Sequence, residues 1–168
     1  VLEWGSGSST LWLADRAATV DSIEHDPQWA EAMRPRLPAH VTLHVVPPVP
    51  GPEPRTPSGK RGFAGLDFTD YVQAADDLAG SFDLVVVDGR AREACLTRAA
   101  DRLAPEGLVV VDNVDRARYR AAIAELAARL TDRRGSRVEV TWTRGLTPSL
   151  PYPTRTALLR VRPPVEAP

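Results

Sequence analysis

Val1-Leu2-Glu3-Trp4-Gly5-Ser6-Gly7-Ser8-Ser9-Thr10 opens the chain, and its reading decides the fold. Val1 to Trp4 reads as the end of a buried strand entering a turn, and a further segment is expected to precede it. Gly5 and Gly7 let the backbone turn sharply and approach a ligand closely. Ser8, Ser9 and Thr10 are helix-capping types, so a helix is expected from Leu11 to about Ala17. A lone G-x-G is weak evidence. Its place between a strand and a capped helix raises its value.

Strand and helix signals alternate from there on, which argues for a three-layer α/β fold with a mostly parallel sheet. Thr19–Glu24 reads as a strand, and Asp26-Pro27 as an N-cap followed by proline at the first helical position. Trp29, Met33 and Leu37 recur every four residues and are expected to form that helix's buried stripe. Val41–Val46 is the third strand. The loop at 47–65 carries Pro47, Pro48, Pro50, Pro52, Pro54 and Pro57, a density expected to keep it out of any sheet ladder and exposed. A helix is expected over Asp67–Ala79.

Phe82–Val87 and Leu108–Val111 are apolar runs bounded by turn signals, suited to central parallel strands buried on both faces. The helix between them spans Ala91–Leu103 and is stopped by Pro105 and Gly107. A long helix from Asp115 to about Arg133 carries Tyr119, Ile123, Leu126 and Leu130 on one face. Two last strands lie near Arg137–Trp142 and Thr156–Val161. Residues 1–162 form one domain, and 163–168 are expected to be a flexible tail.

In an open parallel sheet, ligands bind beyond the carboxyl ends of the strands, where strand order reverses. Glu3, Glu24, Asp88 and Asp112 each stand at such an end. Any one of them can simply cap the next element, but four along one edge favour hydroxyl donors and cations. The dinucleotide fingerprint G-x-G-x-x-G holds a pyrophosphate at a helix N-terminus. Here the third glycine position is Thr10, and a negative Glu3 opposes phosphate while suiting an amino group. Glu24 can accept two hydrogen bonds from a ribose diol in either kind of ligand.

The acidic residue before the glycine turn and the one ending strand two resemble motif I of class I S-adenosylmethionine (SAM)-dependent methyltransferases. Glu3–Thr10, Ile23-Glu24-His25-Asp26, Val87–Arg92 and Asp112–Arg116 resemble a bacterial methyltransferase-like group. The resemblance implies a Rossmann-like sheet of class I methyltransferase topology with an antiparallel last strand. It implies SAM as cofactor, with Gly5, Ser6 and Gly7 along its methionine part, Glu3 nearby, Glu24 on the ribose and Asp88 facing the transferred methyl. Ser9 stands where many members have a third glycine, and His25 is placed either near the adenosine or at a plain strand-end surface.

Cation-dependent O-methyltransferases hold a divalent metal with an Asp after strand four and an Asp-Asn pair after strand five. Asp88, Asp112 and Asn113 match in type and are the candidate catalytic residues. The lysine those families place after the first Asp is absent, so no metal is expected. Asp112 and Asn113 serve equally as a turn and cap before the next helix. Arg90, Arg92 and Arg116 lie at the same edge, either solvated or facing an acidic substrate.

A formal net charge of −1 gives no overall basic field for nucleic acid, so a small-molecule acceptor is expected. Lys60 is the only lysine and Cys95 the only cysteine, which excludes an internal disulfide; Cys95 reads as a buried core residue. No apolar run is long enough for a membrane span, and a cytoplasmic location is expected. Three rivals stand beside methyl transfer: an NAD(P)-dependent oxidoreductase, a non-catalytic SAM-fold module and aminopropyl transfer.

Overall fold

The computed structural model describes residues 1–135, 137–146 and 151–163. β1 (Leu2–Trp4) lies between β2 (Val20–Glu24) and β6 (Phe82–Val87), with β3 (Val41–Val45) beyond β2 and β7 (Leu103–Val111) beyond β6. These strands pair in parallel. β9 (Pro153–Arg162) runs antiparallel to β7 on one side and to β8 (Arg137–Leu146) on the other. The sheet order is therefore β3-β2-β1-β6-β7-β9-β8, with the antiparallel last strand that the sequence leads one to expect.

The two faces of the sheet follow from period-two alternation along its central strands. Leu2, Trp4, Val85, Val87, Val109 and Val111 point into the larger core, against α4 (Arg92–Arg102) and α5 (Ala117–Arg134). Val86, Leu84 and Val110 point the other way, toward Leu13 of α1 (Ser8–Ala14). An apolar run buried on both sides is what allows a strand to sit mid-sheet. The chain passes from β1 outward to β2 and β3, then returns to β6 on β1's other side. Strand order thus reverses between β1 and β6, and the crevice there opens at Gly5 and Asp88.

Several expectations need correction. α1 begins at Ser8 with Gly7, which has no side chain to offer, at the cap position; Thr10 Oγ1 accepts from Gly7 N at 2.8 Å, while the hydroxyls of Ser9 and Thr10 donate to Glu3. In α2 (Pro27–Met33), Asp26 does cap, accepting from Gln28 N and Trp29 N, and Met33 is buried. Trp29 is 45% exposed, however, and Leu37 lies past the helix, after a 3-10 turn at Arg34–Arg36, so only Met33 of the expected stripe is buried. Trp12 is 57% exposed, with the Arg16 guanidinium over its ring.

The proline loop does join a ladder. β4 (Val49–Pro50) pairs antiparallel with β5 (Leu66–Asp67), with Gly51 N donating to Gly65 O at 2.8 Å. A two-residue edge pair leaves Pro50 free of any donor duty, which is why proline is tolerated there. Asp67 ties the loop down by accepting from the Thr69 hydroxyl and from Arg55 N, Thr69 N and Thr56 N; the hydroxyl foremost, and then the backbone donors, hold its pKa at about 2.

The helix expected over Asp67–Ala79 is α3 (Thr69–Gln73) followed by a 3-10 turn at Ala74–Asp77. β7 begins at Leu103, five residues before the expected start. Leu103 pairs with Phe82 and Leu108 with Leu84, so the Pro105–Gly107 stretch is an irregularity inside the strand, not the end of a helix. The expected tail lies outside the described residues beyond Pro163.

Candidate functional site

The glycine turn is built over a buried carboxylate. Glu3 has no exposed surface and accepts from Ser9 Oγ at 2.6 Å, Thr10 Oγ1 at 2.5 Å and Ser22 Oγ at 2.7 Å. Burial pushes its carboxyl up, against the opposing pull of those three hydroxyls. Glu3 thereby ties β1, β2 and the first turn of α1 together beneath the loop. Gly5 adopts φ +97°, where a side chain is strained, while a Cβ on Gly7 would meet open space.

Glu24, at the end of β2, is 2% exposed and heavily bonded. Its Oε2 accepts from Ser6 N at 2.9 Å and Ser6 Oγ at 3.0 Å, and its Oε1 from His25 N and Asp26 N, both at 2.8 Å. Burial alone would raise this carboxyl, but bonds from His25, Asp26 and Ser6 outweigh it and hold the group below its ordinary value. His25 is not a plain surface histidine. It is half-buried among the rings of Phe63, Phe68 and Tyr71, with Nδ1 at 2.7 Å from Glu24.

Two residues that sequence reasoning missed complete this wall. Trp29 donates its Nε1–H to Ser6 O at 2.8 Å, so its exposed ring flanks the glycine turn. Phe63 reaches in from the proline loop. As the one aromatic residue in that loop, it carried a signal that could have been read. Gly5, Ser6, Glu24, His25, Trp29, Lys60, Phe63, Asp88 and Arg90 line a cleft of about 370 Å³.

Asp88, Asp112 and Asn113 do come together, as expected, but around an arginine. Arg92, only 7% exposed, donates from Nη2 to Asp88 Oδ1 at 2.9 Å and to Asn113 Oδ1 at 3.1 Å. It also bonds the backbone carbonyls of Gly89, Asp88 and Asp112. Asp112 is satisfied separately, by Thr156 Oγ1 at 2.6 Å and Asn113 Nδ2 at 2.9 Å. An oxygen of Asp88 and the amide oxygen of Asn113 are therefore turned onto a buried guanidinium, and both Asp112 carboxylate oxygens onto Thr156 and Asn113. A metal ion does not fit this donor set as arranged, and no metal-binding cluster of His, Cys, Asp or Glu occurs among the described residues.

Asp112 and Asn113 do not cap α5 either. Arg116 occupies that position without a side-chain bond, and Asn113 takes a left-handed φ of +51° that asparagine tolerates. Burial raises the Asp88 carboxyl, with Arg92 opposing and Asp112 adding to the rise. Cys95 is buried as expected, its thiol pushed up by burial.

A second cleft, of about 470 Å³, adjoins the first at Lys60, Gly89 and Arg90. It extends along Arg92, Asn113, Arg116 and Tyr119 to Tyr152 and Thr154. No helix among the described residues is long and apolar enough to cross a membrane.

The profile of a methyltransferase-domain family matches residues 2–114. No curated protein sequence matches the chain. An O-methyltransferase from Bacillus cereus, solved with S-adenosylhomocysteine (SAH), is similar at 19% identity and TM-score 0.67, over 96% of this chain and 73% of that one. The tomaymycin-synthesis O-methyltransferase from Streptomyces achromogenes, solved with SAM, is similar at 23% identity and TM-score 0.61, over 95% and 71%. An rRNA methylase from Streptococcus thermophilus gives 12% identity and TM-score 0.60, over 95% and 85%. At such identities these likenesses establish the fold alone.

Proposed function

Because the chain belongs to the methyltransferase-domain family, we propose that it transfers the methyl group of SAM to a small-molecule acceptor. The observation that carries this reading is the crevice at the β1/β6 reversal, where a glycine turn and the Glu24 carboxylate form one wall and Asp88 the other. That wall suits SAM: no phosphate-binding third glycine is present, and Glu24 is an acceptor of the type that a ribose diol needs.

Gly5, Ser6 and Gly7 would lie along the methionine part, with Glu3 and Ser9 holding that turn from beneath. Glu24 would exchange its bond from the Ser6 hydroxyl for bonds from the ribose. His25, Trp29 and Phe63 would enclose the adenosine side. Asp88 would face the reacting end, fixed by Arg92, while Asp112 and Asn113 hold the arginine. The bound cofactor supplies a methyl carbon already made electrophilic by its sulfonium. The protein then has mainly to orient the acceptor and exclude water.

Calorimetry with SAM, SAH and NADH tests the proposal. Binding of SAM or SAH with no NADH binding is expected. Micromolar NADH binding by a folded protein that ignores SAM and SAH would overturn it.

A further inference from the structure

The cleft beyond Arg90 has a charge pattern that the cofactor does not use. Lys60, Arg90, Arg92 and Arg116 line it, against the carboxylates of Glu93 and Asp115. Arg92 is committed to Asp88 and Asn113. Glu93 is paired with Arg118 at 3.0 Å, and Asp115 accepts from Arg155 N at 3.2 Å. Lys60, Arg90 and Arg116 have no carboxylate partner among the described residues.

Solvation does not account for all of them. Arg90 is half-buried, and its Nε lies out of contact with solvent and without a hydrogen-bond partner. Its guanidinium sits 5.0 Å from the Phe63 ring centroid, and Arg90 lines both clefts. Burial pushes the Lys60 ammonium down, and the charges of Arg90 and Arg92 push it further. Burial and Arg92 act the same way on Arg90 and outweigh the opposing pull of Tyr71, Glu24 and Asp88. Like charges gathered in a partly desolvated cleft repel one another, and an anion between them relieves that repulsion.

We infer that this second cleft is the acceptor site and that the acceptor carries a carboxylate or phosphate, bound by Lys60, Arg90 and Arg116. The inference rests on the methyl-transfer reading, since it places the anion beside the crevice where Asp88 would face the transferred methyl. A cleft of about 470 Å³ fits a small ligand, and Tyr119 and Tyr152 offer ring surfaces for its body. The anionic group would sit toward Arg116, so that the nucleophilic atom reaches past Arg90 toward the cofactor.

The test titrates SAH-loaded protein with benzoate, phenyl phosphate and benzamide, which share a ring and differ in charge. At least one anion should bind about tenfold more tightly than benzamide, a difference of about 1.4 kcal/mol. Which anion does so distinguishes a carboxylate acceptor from a phosphate one. Arg116→Ala, at an exposed position outside the cofactor cleft, should erase that preference, and Arg116→Lys should restore part of it. Benzamide binding as tightly as both anions, no anion binding at millimolar concentration, or an unchanged preference in Arg116→Ala would each overturn the inference. SAH affinity is measured first, because its absence counts against the methyl-transfer reading. The anion series is then run on the free protein and judged by the same outcomes.

Discussion

Gly5 and Gly89 stand back to back where the loops after β1 and β6 touch: a Cβ on Gly5 would lie 2.7 Å from both the Cα and the N of Gly89. The contact is backbone on backbone, so neither side can yield cheaply. A Cβ on Gly89 would in turn overlap the hydroxyl of Tyr71, which is fully buried. The crevice at the strand-order reversal exists in this shape because both positions lack a side chain. Gly5→Ala, which adds a strained φ to a steric overlap, should destabilise the fold by about 1–3 kcal/mol and weaken SAH binding. Gly7→Ala should do much less to stability, since its Cβ meets open space. Denaturant midpoints and calorimetry on the two variants check this, and equal losses would contradict it.

Glu24→Ala should weaken SAH binding by about 1–3 kcal/mol for each charged hydrogen bond lost. Ser6→Ala should have the opposite tendency, because the ribose no longer has to displace the Ser6 hydroxyl from Oε2. Affinities of both variants, compared at matched melting behaviour, decide the matter. An unchanged affinity in a well-folded Glu24→Ala protein would remove the assigned role.

The low pKa of Glu24 makes an acid-side prediction. Its folded value lies below the ordinary 4.5, so its contribution to stability is present above that value. The contribution is lost as pH falls through the lowered folded value. The stability advantage of wild type over Glu24→Gln should therefore shrink as pH falls from neutral to below the ordinary 4.5 in denaturant titrations. A constant difference across that range would mean that the carboxylate gains nothing from its bonds to Ser6, His25 and Asp26.

Arg92→Ala leaves Asp88 and Asn113 without their shared donor; because the Asp88 side chain is 39% exposed, solvent offsets part of the loss, and the cost should be about 1–3 kcal/mol. Arg92→Lys restores charge but not the fork that reaches Asp88, Asn113 and the carbonyl of Asp112 together, so recovery should be partial. With Arg92 in place, SAH affinity and any methyl transfer should be the same with magnesium as after exhaustive chelation. Turnover lost on chelation and restored by magnesium would show that the guanidinium yields its place to a cation.

Trp29 reports on the cofactor cleft. Its exposed ring borders the turn that would hold SAM, while Trp4 is buried and donates to Tyr71 O at 3.2 Å. SAH should change the intrinsic fluorescence of wild type, and Trp29→Phe should abolish most of that change. A full signal in the variant would place the ligand elsewhere.

The sequence by itself determines the central sheet and the order of its elements. Phe82–Val87 is legible as a mid-sheet strand because its Leu84–Val87 run is apolar on both faces and has to be buried on both, and Leu13 and Leu96 do cover those two faces. Strand-end positions of Glu3, Glu24, Asp88 and Asp112 are equally legible, since Gly89 and Asn113 directly follow the last two, and Gly5 and Asp26 stand two residues after the first two. What those carboxylates bond to was decided only by tertiary structure. Glu3 faces Ser22, nineteen residues away; Asp112 faces Thr156 on a strand that arrives last; and Arg92 reaches Asn113 across the β6/β7 edge. Local pattern also misplaces Trp29, because a four-residue spacing says which face of a helix is shared but not whether that face meets the core or a cleft. Partners this far apart in the chain are chosen by how parallel strands register side by side. That register is set by burial summed over the whole sheet, so no single segment encodes it.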